Sequence, residues 1–188
     1  PIIRTEKVDK FYYMGRPEEV RALNRIDLEI YQNRMVLIRG PSGSGKTTLL
    51  NLITTIDRPT QGRIYLFGEE VSNYSDAELS RIRQNKIGFI FQNFNLLPRL
   101  PAWENVAYPL IPIGISERER RRRAVEILTQ LKLEKRVNHS QEQMSGGEQQ
   151  RVAIARALIN DPEIIIADEP TSNTVSYTHL TLPTNREV

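Results

Sequence analysis

The chain has 188 residues, of which 26 are Lys or Arg and 23 are Asp or Glu, so its formal net charge is +3. With 39% hydrophobic residues and no cysteine, it has the composition of one globular domain. This excludes a disordered chain, a disulfide scaffold, a cysteine-based zinc site and thiol catalysis. So small a charge surplus gives no strong field for nucleic acid, and we expect no nucleic-acid partner.

Membrane-spanning and secretion signals are missing from the sequence as given. The longest purely aliphatic runs, such as Ile164 to Ala167, fall far short of the roughly 20 residues that a spanning helix requires. The first residues lack the charged and then apolar pattern of a signal peptide. We therefore expect a cytoplasmic chain unless a partner holds it at a membrane.

Two segments near the amino terminus have the pattern of β-strands. Residues 26–30 alternate apolar and polar side chains, which predicts a half-exposed strand. Residues 35–38 are continuously apolar, which predicts a central strand buried on both faces. Asn33, between them, is a predicted turn residue because asparagine tolerates the left-handed conformation. A glycine-rich loop follows, and a helical pattern begins at Lys46.

Strand and helix patterns alternate through the next part of the chain. Residues 62–68 and 87–91 are predicted strands. Between them, Ser75 and Glu78 have the spacing of a capping box, which predicts a helix over about 76–84. The first half is therefore of the mixed α/β type.

The second half is more helical. Residues 93–115 contain four prolines and no clear period, so we expect a loop-rich surface without a regular element. The Ser-x-x-Glu segments 116–119 and 145–148 precede apolar residues at helical spacing and predict two capped amphipathic helices. The arginine run 120–123 lies within the first of these helices and is interpreted as a solvated face rather than a nucleic-acid patch. An aliphatic strand over 163–167 then ends in two carboxylates.

The glycine-rich loop has the pattern G-x-x-x-x-G-K-[ST], with a predicted strand before it and a helix after it. Backbone N–H groups of such a loop converge on one anion, the helix N-terminus favours negative charge, and the lysine neutralises the β- and γ-phosphates. The alternative is a chance glycine turn. The predicted phosphate-binding residues are Gly40, Pro41, Ser42, Gly43, Ser44, Gly45, Lys46, Thr47 and Thr48.

The two carboxylates after the aliphatic strand complete such a site. The carboxyl end of a parallel strand points toward the loop crevice, so Asp168 is predicted to hold Mg²⁺ together with the Thr47 hydroxyl. Glu169, one residue later, is the predicted general base for the attacking water. Acidic pairs also occur at ordinary surface turns, which is the alternative for this pair.

A second anion-binding device is predicted where residues 145–148 begin a helix. Gly146 and Gly147 expose backbone donors, and the Ser145 hydroxyl lies beside them. One nucleotide does not use two such ends from distant parts of one chain. This favours a head-to-tail pair of subunits in which each helix start caps the phosphate bound by the other loop. The alternative is an ordinary capped helix.

Taken in order, these motifs resemble the ATP-binding subunit of an ABC transporter, over about residues 2–173. The sequence of residues 93–98 is most similar to that of the lipoprotein-release and macrolide-export branch. The motifs that carry the resemblance are Gly40 to Thr47, Gln92 after Phe91, Met144 to Arg151, and Asp168-Glu169-Pro170.

The resemblance implies a RecA-like P-loop NTPase core of α/β class over 1–92 and 149–173, with an N-terminal antiparallel β part. A helical subdomain over about 93–148 is implied as well, and the core is truncated before its last strands. The implied cofactors are ATP and Mg²⁺. The implied partners are a second ATP-binding subunit and a transmembrane permease that contacts residues 93–115, which places the protein at the inner face of the membrane and favours export.

The resemblance also implies roles for individual residues. Tyr12 would stack on adenine, and Gln92 would contact Mg²⁺ and the attacking water. The catalytic set would be Glu169, Lys46 and Gln92, and the metal set Thr47, Gln92 and Asp168. The signature motif, which contacts the partner's nucleotide, would be Ser145, Gly146, Gly147 and Glu148.

Some positions depart from the family pattern. Met144 and Glu148 stand where leucine and glutamine are usual, and residues 33–34 replace a glycine-glutamate pair. Methionine is a mild replacement for leucine, and glutamate strengthens the capping box, so we expect little functional consequence.

The last segment, residues 174–188, does not follow the family. Val175 to Thr184 read as a translated transposon-type sequencing adaptor, so we expect the native sequence to stop at Asn173 and give His179 no role; the alternative is a genuine divergent tail. His139 also receives no role, because a lone exposed histidine is more often without function. A chain without the following strand would leave ladder groups unpaired, and we expect it to fold poorly and hydrolyse ATP slowly. Two alternatives stay open: a soluble ABC protein without transport, and an inactive nucleotide-binding fragment.

Overall fold

A computed structural model describes residues 1–13 and 19–168. Over these residues the chain divides into two compact units. The first combines residues 1–89 with 157–168, and the second comprises residues 90–156. The chain thus leaves the first unit once and returns to it with its last described strand.

The first unit contains a four-stranded antiparallel sheet in the order β2-β1-β3-β4. Its register is irregular near Lys7, where β1 shifts against β2 and the backbone has a φ of 45°, as expected at β-bulges. The strands are β1 (Ile3–Tyr13), β2 (Glu19–Ile30), β3 (Gln61–Leu66) and β4 (Glu69–Glu70).

Two helices and a second, two-stranded sheet complete this unit. The helices are α1 (Lys46–Ile53) and α2 (Asp76–Lys86), and β5 (Ile87–Ile90) pairs with β6 (Ile164–Ala167). Leu49, Leu52 and Ile53 of α1 are buried in one core with residues of the four-stranded sheet. Each such side chain contributes roughly 1.5–3 kcal/mol by its burial. The apolar face of α1 therefore fixes this helix on the sheet.

Several sequence predictions for this unit are confirmed. Helix α1 begins at Lys46, and Asn33 has a φ of 58° in a turn. At the start of α2, the Ser75 hydroxyl accepts a hydrogen bond from the Glu78 N–H at 3.4 Å, and the Ser75 N–H donates to the Glu78 carboxylate at 2.8 Å. This is the predicted capping box.

The central strand predicted over 35–38 is wrong. No strand is assigned there, Met35 is 99% exposed, and Leu37 is 69% exposed. A doubly buried strand needs hydrogen-bonding neighbours on both edges. The described residues supply none, since β5 and β6 pair with each other and the four-stranded sheet is complete without this segment. Met35, Val36 and Leu37 are therefore exposed, and only Ile38 packs against the core.

The second unit is helical. Its helices are α3 (Ala102–Ala107), α4 (Glu117–Gln130) and α5 (Gly146–Leu158), with short 3-10 turns at 108–110, 134–136 and 141–143. Helix α3 packs against α4. The core of the unit includes Trp103, Val106, Leu110, Leu128, Leu133 and Val152.

The interpretation of residues 93–115 as a loop-rich surface is partly wrong, because the segment contains α3 and α3 is buried. Asn105 is fully buried. It accepts a hydrogen bond from the Leu97 N–H at 2.7 Å and donates to the carbonyls of Leu97 and Leu100 at 3.1 Å each. One side chain thus supplies the hydrogen bonds that a proline-containing loop lacks.

The capping box predicted at residues 116–119 is also wrong. Helix α4 begins there, but Ser116 makes no capping hydrogen bond through its side chain. The Glu119 carboxylate instead accepts from Arg122 at 2.9 Å and from Arg123 at 2.8 Å. These arginines, three and four residues later, hold the carboxylate away from the helix start.

In the described ranges, no helix combines the length and the apolar character that crossing a membrane requires.

Candidate nucleotide-binding site

The glycine-rich loop ends at the N-terminus of α1, as the sequence predicts. Gly45 is the N-cap, with a φ of 88°. A Cβ atom at this position would lie 2.5 Å from the Ala22 carbonyl oxygen and 2.9 Å from Leu23 Cδ2. Only glycine accepts this combination of left-handed backbone and close approach to β2. The loop is thereby held against the sheet at its last residue.

Lys46 lies over the loop that precedes it. Its ammonium donates to the carbonyl of Gly40 at 3.0 Å and of Pro41 at 2.9 Å. No side chain caps the start of α1, and no acidic residue stands in its first turn. The N-terminal N–H groups, the positive end of the helix dipole and the ammonium therefore favour an anion at this position.

Thr47 and Asp168 both belong to the first unit, and their side chains are of a type that binds magnesium. The Thr47 side chain is exposed in the first turn of α1, and Asp168 follows directly after β6. One hydroxyl and one carboxylate are hard oxygen donors of the kind that Mg²⁺ uses together with phosphate oxygens. Glu169, the predicted general base, lies outside the described residues.

Tyr12 lies close to the end of β1 and makes a defined set of contacts. Its hydroxyl donates to Asp57 at 2.8 Å, and the Lys10 ammonium lies 4.9 Å from its ring centroid. Partial burial and then the Asp57 carboxylate raise the pKa of the tyrosine, while a hydrogen bond with Thr48 opposes this. The predicted adenine-stacking ring is thus tied to the helix that carries the phosphate loop.

Asp57 is a site residue that sequence reasoning missed. Lys10 donates to its carboxylate at 2.6 Å. Partial burial raises the pKa of this carboxyl, but the hydrogen bonds from Lys10 and Tyr12 outweigh burial and lower it below its usual value. Because Asp57 is 45 residues from Tyr12 in sequence, no local spacing signals the contact.

The signature segment in the second unit has the predicted capping box. The Ser145 N–H donates to the Glu148 carboxylate at 2.8 Å, and the Glu148 N–H donates to the Ser145 hydroxyl oxygen at 3.3 Å. The hydroxyl therefore keeps its own proton available for an anion. Gly146 opens α5, and Gly147 follows it.

Arg136 was also missed, and it pairs with the signature segment. Its guanidinium donates to the second Glu148 carboxylate oxygen at 2.7 Å, and the Glu148 side chain is only 17% exposed. The Arg136 guanidinium and then the Ser145 N–H hold the pKa of the Glu148 carboxyl below its usual value. The unusual glutamate thus has its charge compensated.

Gln92 lies in the turn that follows β5, with an exposed side chain, and Met144 is buried ahead of α5. Both are in the second unit. The role of Gln92 at Mg²⁺ stays a prediction, and the buried Met144 shows that methionine takes an apolar position ahead of the signature segment.

Comparison with known proteins identifies the relatives of this chain. An ABC transporter ATP-binding protein of Thermotoga maritima, described as uncharacterized, is 52% identical, over 87% of this chain and 70% of that protein. The ABC transporter ATP-binding protein MJ0796 of Methanocaldococcus jannaschii is 51% identical, over 90% of this chain and 74% of that protein. The macrolide export ATP-binding/permease protein MacB of Hyphomonas neptunium is 47% identical over 91% of this chain, which spans 26% of it.

The fold agrees with solved structures. A dimeric structure of MJ0796 in a post-hydrolysis state, bound to ADP and Pi, has a TM-score of 0.84 and 49% identity, over 90% of this chain and 75% of that one. The ABC transporter family matches residues 23–172. The chain therefore belongs to the ABC transporter family, as an ATP-binding subunit with the ATPase cassette fold.

Proposed function

We propose that this chain binds Mg²⁺-ATP between Tyr12 and residues 40–48 and that it powers export through a membrane permease by hydrolysing ATP as a head-to-tail dimer. The observation that carries the proposal is the start of α1. Gly45 holds the loop in a left-handed turn, no side chain caps the helix, and Lys46 stands over the loop carbonyls. This combination suits a polyphosphate better than any other ligand class.

Each residue of the site has a proposed task. Lys46 neutralises the β- and γ-phosphates, and Tyr12 provides a stacking face for the base. Thr47 and Asp168, both in the first unit, would hold Mg²⁺, which neutralises phosphate charge when bound. Glu169 accepts a proton from the attacking water.

The dimer is proposed from the signature segment. The start of α5 presents the Ser145 hydroxyl and the backbone of Gly146 and Gly147, a second place where a phosphate oxygen could accept hydrogen bonds. Each subunit supplies this segment to the nucleotide of the other. The dimeric structure of MJ0796 with ADP and Pi supports a dimer of this cassette; the head-to-tail arrangement is the proposal.

The permease contact is proposed for the end of the α3 segment. Tyr108, Ile111 and Ile113 are 52%, 48% and 45% exposed, three large apolar side chains within six residues of one another. Such a patch is typical of a protein contact. A permease would hold the chain at the inner face of the membrane. The relative MacB, an ATP-binding/permease protein, supports a partner of this kind.

Nucleotide binding is tested first, by calorimetric titration of the chain with Mg²⁺-ATP. Lys46→Ala removes charge-assisted hydrogen bonds and is expected to weaken binding by about tenfold or more. Lys135→Ala, which removes an exposed lysine in the second unit, is the matched control and should bind like the wild type. Equal binding by Lys46→Ala and the wild type would contradict the site.

The partner is tested by co-purification with a permease encoded next to the gene. Ile111→Asp places a charge in the proposed contact and is expected to abolish co-purification, while its Mg²⁺-ATP binding stays at the wild-type value. If a chain that binds nucleotide never associates with a permease, the soluble, non-transport alternative is favoured instead.

A further inference from the structure

We propose that Asp57 is a positioning residue that fixes the Tyr12 ring relative to the phosphate loop and thereby favours a nucleotide whose base reaches that ring. The inference rests on the proposed function, since it needs Tyr12 to contact a base. It adds a residue that no motif contains and a physical reason why base and phosphates are recognised together.

The first step is that Asp57 is part of the α1 end. Its N–H donates to the carbonyl of Asn51 at 3.1 Å, and the Ile56 N–H donates to the same carbonyl at 2.9 Å. The Arg58 N–H donates to the Asp57 carboxylate at 2.7 Å. The backbone and side chain of Asp57 are therefore held by the C-terminal turn of the helix whose N-terminus carries the phosphate loop.

The second step is that Tyr12 is bound at the C-terminal end of this helix. Its hydroxyl donates at 2.8 Å to the carboxylate of Asp57, which lies beyond the last turn. Because α1 is a rigid element, this contact sets the distance from the ring to the N–H groups that would hold phosphate.

The third step concerns the faces of the ring. The Lys10 ammonium lies 4.9 Å from the ring centroid and only 12% of its side chain is exposed. Asp57 holds it there, at 2.6 Å, together with the Arg58 carbonyl at 2.8 Å. The cation thus lies against one face of the ring, and the base is assigned to the other face.

A tyrosine held this way is preorganised. An untethered tyrosine side chain loses rotamer freedom when a base stacks on it, and that loss weakens binding. The Asp57 carboxylate removes the freedom before the nucleotide arrives. Its contribution should therefore be felt only by ligands that have a base.

The experiment compares two probes, Mg²⁺-ATP and inorganic tripolyphosphate with Mg²⁺, by calorimetric titration of the full chain. Asp57→Ala is expected to weaken ATP binding by about threefold to tenfold, the size of one hydrogen bond, and to leave tripolyphosphate binding unchanged. Asp76→Ala removes an exposed carboxylate that pairs with the neighbouring Arg58 at 2.8 Å. This matched control should leave both affinities at their wild-type values.

A second variant distinguishes loss of the Tyr12–Asp57 hydrogen bond from misfolding. Tyr12→Phe keeps the ring and removes only the hydroxyl, so it should show the same selective loss for ATP. A loss of affinity for both probes in Asp57→Ala with no loss in Tyr12→Phe would overturn the proposal, because it indicates general damage to α1.

The two proposals fail in different ways. Wild-type affinity for ATP in both Asp57→Ala and Tyr12→Phe would overturn the positioning role while the nucleotide site stands. Failure of the wild-type chain to bind either probe would overturn the nucleotide site and this inference with it.

Discussion

The two helix starts of the proposed nucleotide chemistry are built in opposite ways. Helix α1 opens on a left-handed glycine, with no side-chain cap and no acid in its first turn. Helix α5 opens on a closed capping box, with Glu148 in its first turn and Arg136 paired to that carboxylate. The first-turn N–H groups of α1 have no side-chain acceptor and are available only to an anion. In α5 the capping box satisfies part of these N–H groups, and the Ser145 hydroxyl remains as a donor.

This difference indicates that the two helix starts have different functions. An uncapped start next to a lysine suits tight binding of a polyphosphate. A capped and charge-compensated start is stable without ligand and suits a contact that forms and breaks. The four predictions below test the comparison from its largest expected effect to its smallest.

The largest effect is expected for Gly45→Ala. The new Cβ would meet the Ala22 carbonyl oxygen at 2.5 Å on a backbone with a φ of 88°, so we expect a loss of more than about 2 kcal/mol in unfolding free energy and no measurable ATP binding. Gly68→Ala is the matched control, since Gly68 has a φ of 86° with nothing within 4 Å. Urea unfolding should show a loss of about 1 kcal/mol for it. Equal losses in the two variants would contradict the close approach.

Arg136→Ala is expected to destabilise the start of α5. It leaves the Glu148 carboxylate, 17% exposed, without its cation, and a loss of about 1 kcal/mol in unfolding free energy follows from one charge-assisted hydrogen bond. Adding Glu148→Gln to this variant should restore most of the loss because the amide oxygen still completes the capping box. No rescue by the second substitution would show that Arg136 acts through another contact.

The pH dependence sharpens the same point. The folded-state pKa of Glu148 is lowered, so its contribution to stability is complete above the unfolded pKa of about 4.3 and is lost as pH falls through the folded value. The difference in unfolding free energy between wild type and Arg136→Ala should therefore shrink between pH 6 and pH 3. Parallel stability curves over this range would contradict the assignment.

The smallest effect is expected for Glu148→Gln alone. The amide oxygen keeps the hydrogen bond from the Ser145 N–H, whereas the amide NH₂ replaces the oxygen that accepts from Arg136. The Arg136 side chain is 39% exposed, so water replaces the lost acceptor. Unfolding free energy should change by less than about 0.5 kcal/mol, as measured by urea titration. A larger loss would mean that the carboxylate charge itself holds the segment.

Motifs with a local physical cause could be predicted from the sequence. The phosphate loop, the start of α1 and the strand before Asp168 each depend on neighbouring residues. Identical Ser-x-x-Glu patterns nevertheless gave a capping box at Ser75 and none at Ser116. At Ser116 the carboxylate of Glu119 accepts from Arg122 and Arg123 of its own helix instead.

Features that depend on distant residues could not be predicted. Apolar character alone suggested a buried strand over 35–38, but burial also needs partners that the described residues do not provide. Helix α3 was not predicted, because prolines flank this short segment on both sides and its stability comes from packing against α4. The contact of Tyr12 with Asp57 crosses 45 residues and follows only from the folded sheet.

Asn105 shows how a fully buried polar side chain bears on the chemical lifetime of the protein. Its amide NH₂ donates to the carbonyls of Leu97, Leu100 and Pro101. Spontaneous deamidation would change few atoms and almost no volume, yet it would turn that donor into a negatively charged acceptor facing these carbonyl oxygens. Deamidation of Asn105 would therefore destabilise the loop before α3, whereas deamidation of an exposed asparagine would leave the fold unchanged.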